Sequence, residues 1–358
     1  MTEQLPIFFY SARTQASNAG DALINRELLR LLRAKGEIRA ISGGMPPAFL
    51  HEMELAADEV IGANNIDLFK ALFTQALHGG GQLYLVLTPG DIFGGASKDG
   101  IARGLVFPIL RALGVRIIRI GASIGKFTPL RARTEAWLSR WSYFLGLRDA
   151  ISIAAANGYG MKHIGPFPDL AFMLDRVARP ARPIHTAALC LRDDHSNDAD
   201  REKLVRSIDS LLAADSALQV VCVVQVERDE SFMRRLTERY QASHRTRFVQ
   251  ESRIDALLAL YDDVDIVITN RLHSMLMAVS RGALPVALLD HEANRKIVGI
   301  MSDAGWTRLI HAPGELLDLA TITGSEAGTQ TLISDGFSRR RGEGLAAIDA
   351  MFSKVGPA

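Results

Sequence analysis

The sequence predicts an α/β protein made of two doubly wound, Rossmann-like domains facing a cleft, and three observations carry that expectation. Short apolar, β-rich runs alternate with helical-period stretches along most of the 358 residues. The alternation breaks once, at Arg176–Pro183 (RVARPARP), a stretch with two prolines and three arginines and no periodic pattern, and then restarts. Several of the strand-like runs end in glycine-rich or polar turns, as βα loops at the carboxyl edge of a parallel sheet do. These features divide the chain into residues 1–178, residues 184–335 and a basic C-terminal helix, 336–358.

In the first half, Pro6 to Ala12 reads as a strand and Ala22 to Ala34 as an amphipathic helix with Leu28, Leu31 and Leu32 on one face. Asn18, Gly20 and Asp21 then fall in the first βα loop. There Asp21 serves as a helix cap and Gly20 as a turn residue with positive φ, or both face a ligand. Further strands are expected at Glu37–Ser42, near Val60, at Gln82–Thr88 and at Val115–Ile120. The last two run into Pro89-Gly90-Asp91, with Gly94-Gly95 beyond, and into Gly121–Gly125, both read as loops. Ile66–Leu77 and Leu130–Leu145 read as helices, Leu147-Arg148-Asp149 as a strand end before a helix from Ile151, and Ile164–Phe172 as a linker-like loop.

In the second half, strands are expected at Thr186–Leu191, Leu218–Val224 and Arg247–Val249, with helices at Asp200–Ala213, Phe232–Ala242 and Ile254–Tyr261. Asp265–Leu289 is the most informative stretch. Ile266–Ile268 is a β-rich run, Thr269-Asn270-Arg271 a polar break, and Leu272, Met275, Leu276 and Val279 mark one helical face. Gly282 stops that helix before a second buried strand, Ala283–Leu289. Arg271 and His273 therefore stand where a strand hands over to a helix, where free N–H groups favour an anion. The plain alternative is an Arg pairing a neighbouring carboxylate and a His filling space. Asn294–Ala304 reads as a helix, Arg308–His311 as a strand and Thr321–Asp335 as a loop. Gly336–Phe352 is a helix with Arg339, Arg340 and Arg341 on a solvated face and Leu345, Ile348 and Met351 toward the core.

Composition narrows the function. Hydrophobic residues make up 48% of the chain, so a large core is expected. A formal charge of +1 argues against a protein driven by nucleic-acid phosphates. Nothing in the sequence is long and apolar enough to span a bilayer and the N-terminus lacks a secretory pattern, so a cytoplasmic location is expected. The two cysteines, Cys190 and Cys222, lie in apolar runs and read as buried free thiols. No spacing suggests a metal site. Asp193-Asp194 and Asp262-Asp263 read as solvated acids, and His195 and His291 as surface or capping groups near loops.

Taken in order, Asn18-Ala-Gly20-Asp21, Gly121–Gly125, Leu147-Arg148-Asp149, Pro168-Asp169-Leu-Ala-Phe172, Asn270-Arg271-Leu272-His273 with Gly282 and Pro285, and Asp290 followed by Lys296 resemble the motif order of the polysaccharide pyruvyl transferase family. Members share the two-domain arrangement of GT-B glycosyltransferases. Where the family often carries a glycine triplet, this chain has Thr88-Pro89-Gly90-Asp91. The resemblance implies transfer of a pyruvyl group from phosphoenolpyruvate to a sugar of a bacterial exopolysaccharide or its lipid-linked precursor. It implies an acceptor side in the first domain, a donor side in the second, no cofactor, and an association with the inner face of the membrane left open. Phosphoenolpyruvate carries two anionic groups, which suits Arg148, Arg271 and Lys296 with Arg192 as a fourth cation, beside Leu272, Asn18, Gly20 and Ser123. His273 is the expected acid or base and Asp21 its partner on the acceptor hydroxyl. Two rivals stay open here: a nucleotide-sugar glycosyltransferase on the same scaffold, and a non-catalytic scaffold for polysaccharide assembly.

Overall fold

A computed structural model of the chain describes residues 5–16, 18–92, 98–179, 183–192, 197–213, 215–319, 322 and 326–353. The chain forms two compact units. The first comprises residues 1–16, 21–170 and 342–358, and the second residues 17–20 and 171–341.

The first unit is built on strands β1 (Ile7–Ser11), β2 (Glu37–Ile41), β3 (Val60–Gly62), β4 (Leu83–Leu87), β5 (Gly90–Ile92), β6 (Arg116–Ile124), β7 (Phe144–Leu147) and β8 (Ile164–Pro166). The sheet order is β3-β2-β1-β4-β6-β7-β8, with β5 paired to β6. The second unit holds β9 (Thr186–Cys190), β10 (Gln219–Val224), β11 (Arg245–Gln250), β12 (Ile266–Thr269), β13 (Leu284–Leu288) and β14 (Ile310–His311), in the order β11-β10-β9-β12-β13-β14. The strand pairs are parallel in both sheets. Parallel strands require crossovers, and the intervening helices supply them. The fold class is therefore the expected one, two parallel α/β sheets with interleaved helices. In each sheet the order reverses at one place, between β1 and β4 in the first and between β9 and β12 in the second. Ligands of open α/β sheets bind outside the carboxyl ends of the strands at such a reversal.

The β-rich runs are buried on both faces. Ile266, Val267 and Ile268 are fully enclosed, as are Val220 and Cys222 in β10. Helix starts are fixed by local chemistry. Asn64 accepts N–H bonds from Ile66 and Asp67, while Asp67 reaches back to the Asn64 N–H. Thr128 caps a helix whose first residue is Pro129. The helix Leu272–Ser280 ends at Gly282, whose φ of +86° lets the Gly282 and Ala283 N–H groups bond back to Val279 and Ala278.

Several boundaries differ from the sequence expectation. The first helix is Ala19–Arg33, so Gly20 and Asp21 lie in its first turn rather than in the loop before it. Asn18 caps that turn, accepting from the Gly20 N–H at 3.0 Å, which displaces Asp21 from the capping role. Gly121–Ile124 is the second half of β6 and not a loop; a positive φ at Gly121 (+68°) lets the strand shift register against β7 and continue. Gly90-Asp91 likewise extends as β5 along Ala122 and Ser123. Leu130–Leu145 is not one helix, because Phe144 and Leu145 pair into the sheet as part of β7 after a helix ending at Ser139. Ile164–Pro166 is a strand rather than linker, and Asp169 in the same stretch is fully buried.

The largest difference is at the C-terminus. From Glu326 the stretch expected to be a loop is helical, and the helix runs to Ser353. Thr329, Ile333 and Phe337 form its buried stripe, and the Phe337 ring packs at a tilt against Phe172, 5.2 Å between centroids. Arg340 is buried on the same helix beside Asp303, so the arginine triplet is not a uniformly solvated face. Arg341 pairs with Asp175 at 2.6 Å. Ile348 and Met351 are core residues as expected, whereas Leu345 is exposed. Phe352 packs edge-on to Phe8 at 5.3 Å and Tyr84 at 5.2 Å within the first unit.

Candidate functional site

In the second unit the polar break after β12 is organised from below by buried side chains. Thr269 donates to the Cys190 carbonyl at 2.5 Å and accepts from the Arg271 N–H at 2.9 Å, so the chain turns sharply off the strand. Asn270 bridges the sheet reversal. Its Oδ1 accepts from the Arg192 N–H at 2.6 Å and its Nδ2 donates to the Arg192 carbonyl at 3.2 Å. The ends of β9 and β12 are thus joined by an amide side chain acting as one more rung of the ladder.

Arg271 occupies the N-cap position of the helix Leu272–Ser280 without capping it through its side chain. The side chain turns instead to Asp229, a buried carboxylate after β10, and forms an ion pair through Nη2. Arg271 therefore places no side-chain oxygen over the first turn, and the positive end of the helix dipole there favours an anion. Leu272 is buried, so at this turn it offers its backbone rather than its side chain. Ser274 is fixed by Gln225, to which it donates at 2.6 Å, and lies 3.1 Å from the Cys190 sulfur. Gln225 in turn donates to the Tyr261 hydroxyl at 3.0 Å. Burial pushes the Cys190 and Cys222 thiols up to about 11, so both are neutral spacers at neutral pH.

His273 is half-buried and has a specific neighbour. Its ring lies against the Cα of Gly20, where a Cβ would collide with Nδ1 and Cγ. Gly20 is therefore a close-approach glycine and not the positive-φ turn residue the sequence suggested. Asp21 is the next residue in the chain. Its carboxylate accepts from the Thr14 hydroxyl at 3.0 Å, and its carbonyl accepts from Asn25 at 2.6 Å. Asn25 accepts from the buried Tyr10 hydroxyl, whose proton is held well above the ordinary range by burial and by Asp21.

The first unit contains a second polar centre. Arg148 follows β7 and is buried, with every edge of its guanidinium engaged. Nη1 meets Asp169 at 2.7 Å, Nη2 meets Asp91 at 2.7 Å, and Nε donates to Ser123. Ser123 donates onward to Asp149 at 3.0 Å, and Asp149 caps the helix Ala150–Gly158 by accepting from the Ser152 N–H at 2.7 Å. Burial alone would lower the Arg148 pKa, but Asp169 and Asp91 outweigh it and hold the charge on more firmly. Arg148 and Ser123 are thus brought together, with carboxylates as their partners. Asp91 is the partly exposed member of the group.

The remaining candidates lie in the second unit. Lys296 is half-buried in the first turn of the helix Arg295–Asp303. Asp290 ahead of it accepts from the Ala293 N–H at 2.8 Å and shapes the turn. His291, Asp262 and Asp263 are exposed. His195, Asp193, Asp194, Gly94 and Gly95 lie outside the described residues, as does part of the Arg176–Pro183 stretch. Among the described residues, no three His, Cys, Asp or Glu side chains gather as metal ligands. Sequence reasoning missed Asp229 and Asp91 as partners of the two arginines. Asp229 sits in a charged run (Glu227-Arg228-Asp229-Glu230) that gives no hint of burial; Asp91 directly follows a glycine at a strand end, a signal that was there to use.

Compared with known proteins, the chain matches no curated protein. Its fold is similar to that of Alr3699/HepE from Anabaena in complex with UDP, at a TM-score of 0.60 and 13% identity, covering 98% of this chain and 99% of that one. It is similar also to UDP-GlcNAc 2-epimerase from Neisseria meningitidis bound to UDP-GlcNAc (TM-score 0.58, 11% identity, 98% and 100% covered). A glycosyltransferase from Rickettsia africae ESF-5 matches at a TM-score of 0.56 and 10% identity, again covering 98% and 100%. At such identities the likeness establishes the two-sheet GT-B architecture and nothing finer. The family model described as polysaccharide pyruvyl transferase matches residues 18–283. That span runs from the capping Asn18 through Arg148 to the glycine-terminated helix behind Arg271 and His273, and on it the chain belongs to the polysaccharide pyruvyl transferase family.

Proposed function

We propose that this protein transfers the pyruvyl group of phosphoenolpyruvate to a sugar unit of a bacterial exopolysaccharide or its lipid-linked precursor, forming a pyruvate ketal and releasing phosphate. The observation that carries the reading is the family match together with Arg271 and His273 at a helix start that follows the strand at the sheet reversal. Phosphoenolpyruvate brings a phosphate and a carboxylate into one small volume. Arg271 and the first-turn N–H groups receive one of them, and Lys296 and Arg192 are the further cations proposed for the other. Arg148 joins them only by releasing Asp91, since all its edges are engaged without ligand.

In the proposed reaction His273 gives a proton to the methylene carbon of the donor. The cationic centre at C2 is attacked by one sugar hydroxyl, whose proton passes to Asp21. A second hydroxyl of the same sugar then displaces phosphate and closes the ketal, its proton leaving with the phosphate. The donor is consumed as a substrate, so no cofactor forms part of the proposal. The work is assigned to the cytoplasmic side of the membrane, where such a donor is supplied.

A second reading, a nucleotide-sugar glycosyltransferase, is favoured by the UDP and UDP-GlcNAc complexes among the fold neighbours. Ligand-induced thermal stabilisation separates the two, because a ligand that binds only the folded state raises its stability by mass action. The proposal expects stabilisation by phosphoenolpyruvate, lost in Arg271→Ala, and phosphate release when a saccharide acceptor is added. Stabilisation by UDP with none by phosphoenolpyruvate would transfer the assignment to the glycosyltransferase.

A further inference from the structure

Two neighbouring helices of the first unit carry an apolar and basic surface that neither sheet uses. On the helix Lys98–Ala112, Leu105 and Ile109 are 72% and 53% exposed; on the helix Pro129–Ser139, Leu130 and Trp137 are 60% and 44% exposed. The positions repeat at helical spacing. Ala102, Leu105, Ile109 and Ala112 share one face of the first helix, and Leu130, Arg133, Trp137 and Arg140 one face of the second and its C-cap. The two faces form one surface, because the Trp137 indole N–H donates to the Gly104 carbonyl at 3.2 Å and its ring lies 3.6 Å from where a Gly104 Cβ would be.

Among the described side chains, the exposed charges on the second helix face have one sign. Arg133 and Arg140 are exposed, as is Lys126 just before the second helix, and none of the three is in an ion pair among the described residues. The one acid whose side chain is described on either helix, Glu135, is buried against Arg131 at 2.7 Å. Large aliphatic side chains, a tryptophan anchored through its N–H and unpaired arginines on one face are what an anionic lipid surface accepts. A protein partner of acidic character would match the charges, but it would not call for four large apolar side chains held out at the arginines' level. No helix among the described residues is long and apolar enough to cross a membrane, so the contact would be peripheral.

We infer that the face formed by Leu105, Ile109, Leu130 and Trp137, with Arg133, Arg140 and Lys126, docks the protein on an anionic bilayer. The inference stands apart from the donor assignment, though it would bring a lipid-linked acceptor to the enzyme. The test uses the full chain in sedimentation with vesicles of phosphatidylcholine alone or mixed with phosphatidylglycerol. The protein should sediment with the mixed vesicles only and be released by salt. Arg133→Gln/Arg140→Gln should lower the partition coefficient about 30-fold, equivalent to ~1 kcal/mol per arginine near an anionic surface. Leu105→Glu/Ile109→Glu should abolish binding. Acyl chains brominated near the headgroup should quench wild-type fluorescence, and Trp137→Phe should remove that quenching. Because Leu105, Ile109, Arg133 and Arg140 are exposed, the glutamate and glutamine variants should retain the wild-type melting temperature and turnover of a soluble acceptor.

Failure to bind mixed vesicles would overturn the inference, as would binding that the variants leave unchanged. A patch-dependent dimer in light scattering without vesicle binding would reassign the face to a second copy of the chain. Absence of phosphoenolpyruvate turnover would strike the proposed reaction alone and leave the vesicle result standing.

Discussion

Arg148 and Arg271 each stand at the first turn beyond a strand and before a helix, Arg271 after a strand at the sheet reversal and Arg148 after one removed from it, and they are treated differently by their surroundings. Arg148 is held by two carboxylates and a serine, and the helix behind it is capped by Asp149. Arg271 pairs with one carboxylate, Asp229, and its side chain does not cap the helix behind it. Counting charges, the first cluster is negative and saturated, while the second is neutral and stands at the positive end of a helix dipole. A strand-end arginine is thus an anion site only when the fold leaves part of its hydrogen-bonding capacity unspent. On the proposed function, Arg271 is the ligand-facing group and Arg148 the group that orients Asp91.

The largest expected effect is at His273. His273→Gln should lower turnover by about 10²–10⁴ while phosphoenolpyruvate still stabilises the protein; full activity would remove the acid–base role. Next comes Arg148→Ala, which strands buried carboxylates and should cost about 3–5 kcal/mol in denaturant unfolding. The deficit should shrink as pH falls, because stranded carboxylates that resist ionisation take up protons and cease to oppose folding. A variant of wild-type stability that lost only donor binding would instead make Arg148 a direct ligand and erase the contrast. Gly20→Ala puts a methyl group into the His273 ring and should cost about 1–3 kcal/mol, with a fall in turnover from the displaced imidazole. Asp229→Asn should raise KM for the donor about tenfold, the loss of one charge-assisted hydrogen bond, with a smaller change in kcat; Asp229→Glu should recover part of it. Smallest of all, Cys190 and Cys222 should resist alkylation at neutral pH until the protein is unfolded, since burial keeps both thiols protonated.

The two regions also differ in how far they could be read from sequence. Arg271 and His273 were legible because a β-rich run, a polar break and a helical stripe follow one another within a short stretch, so local periodicity places them at a strand end. The setting of Arg148 was not legible in the same way. Its carboxylates lie 21 and 57 residues away in sequence, and only the sheet order brings them together. Asp229 is 42 residues from Arg271 and hidden in a charged run. The helix from Glu326 was missed because Thr329, Ile333 and Phe337 make a weak stripe; its burial is supplied by Phe172, distant in the chain. Boundaries failed where glycine or asparagine decided them, at Gly121 and Asn18, since each residue type serves a loop and an element end equally well.

The C-terminal helix has a consequence for the order in which this protein is made. Its last turns count with the first unit, where Phe352 closes over Phe8 and Tyr84, and Lys35 pairs with Asp349 at 2.6 Å. On a ribosome the first sheet emerges hundreds of residues before those turns do. The aromatic surface of β1 and β4 must wait uncovered through synthesis of the whole second unit, a window in which chaperones have a ready target. Shortening the chain from its C-terminus would therefore injure the half of the protein that was translated first.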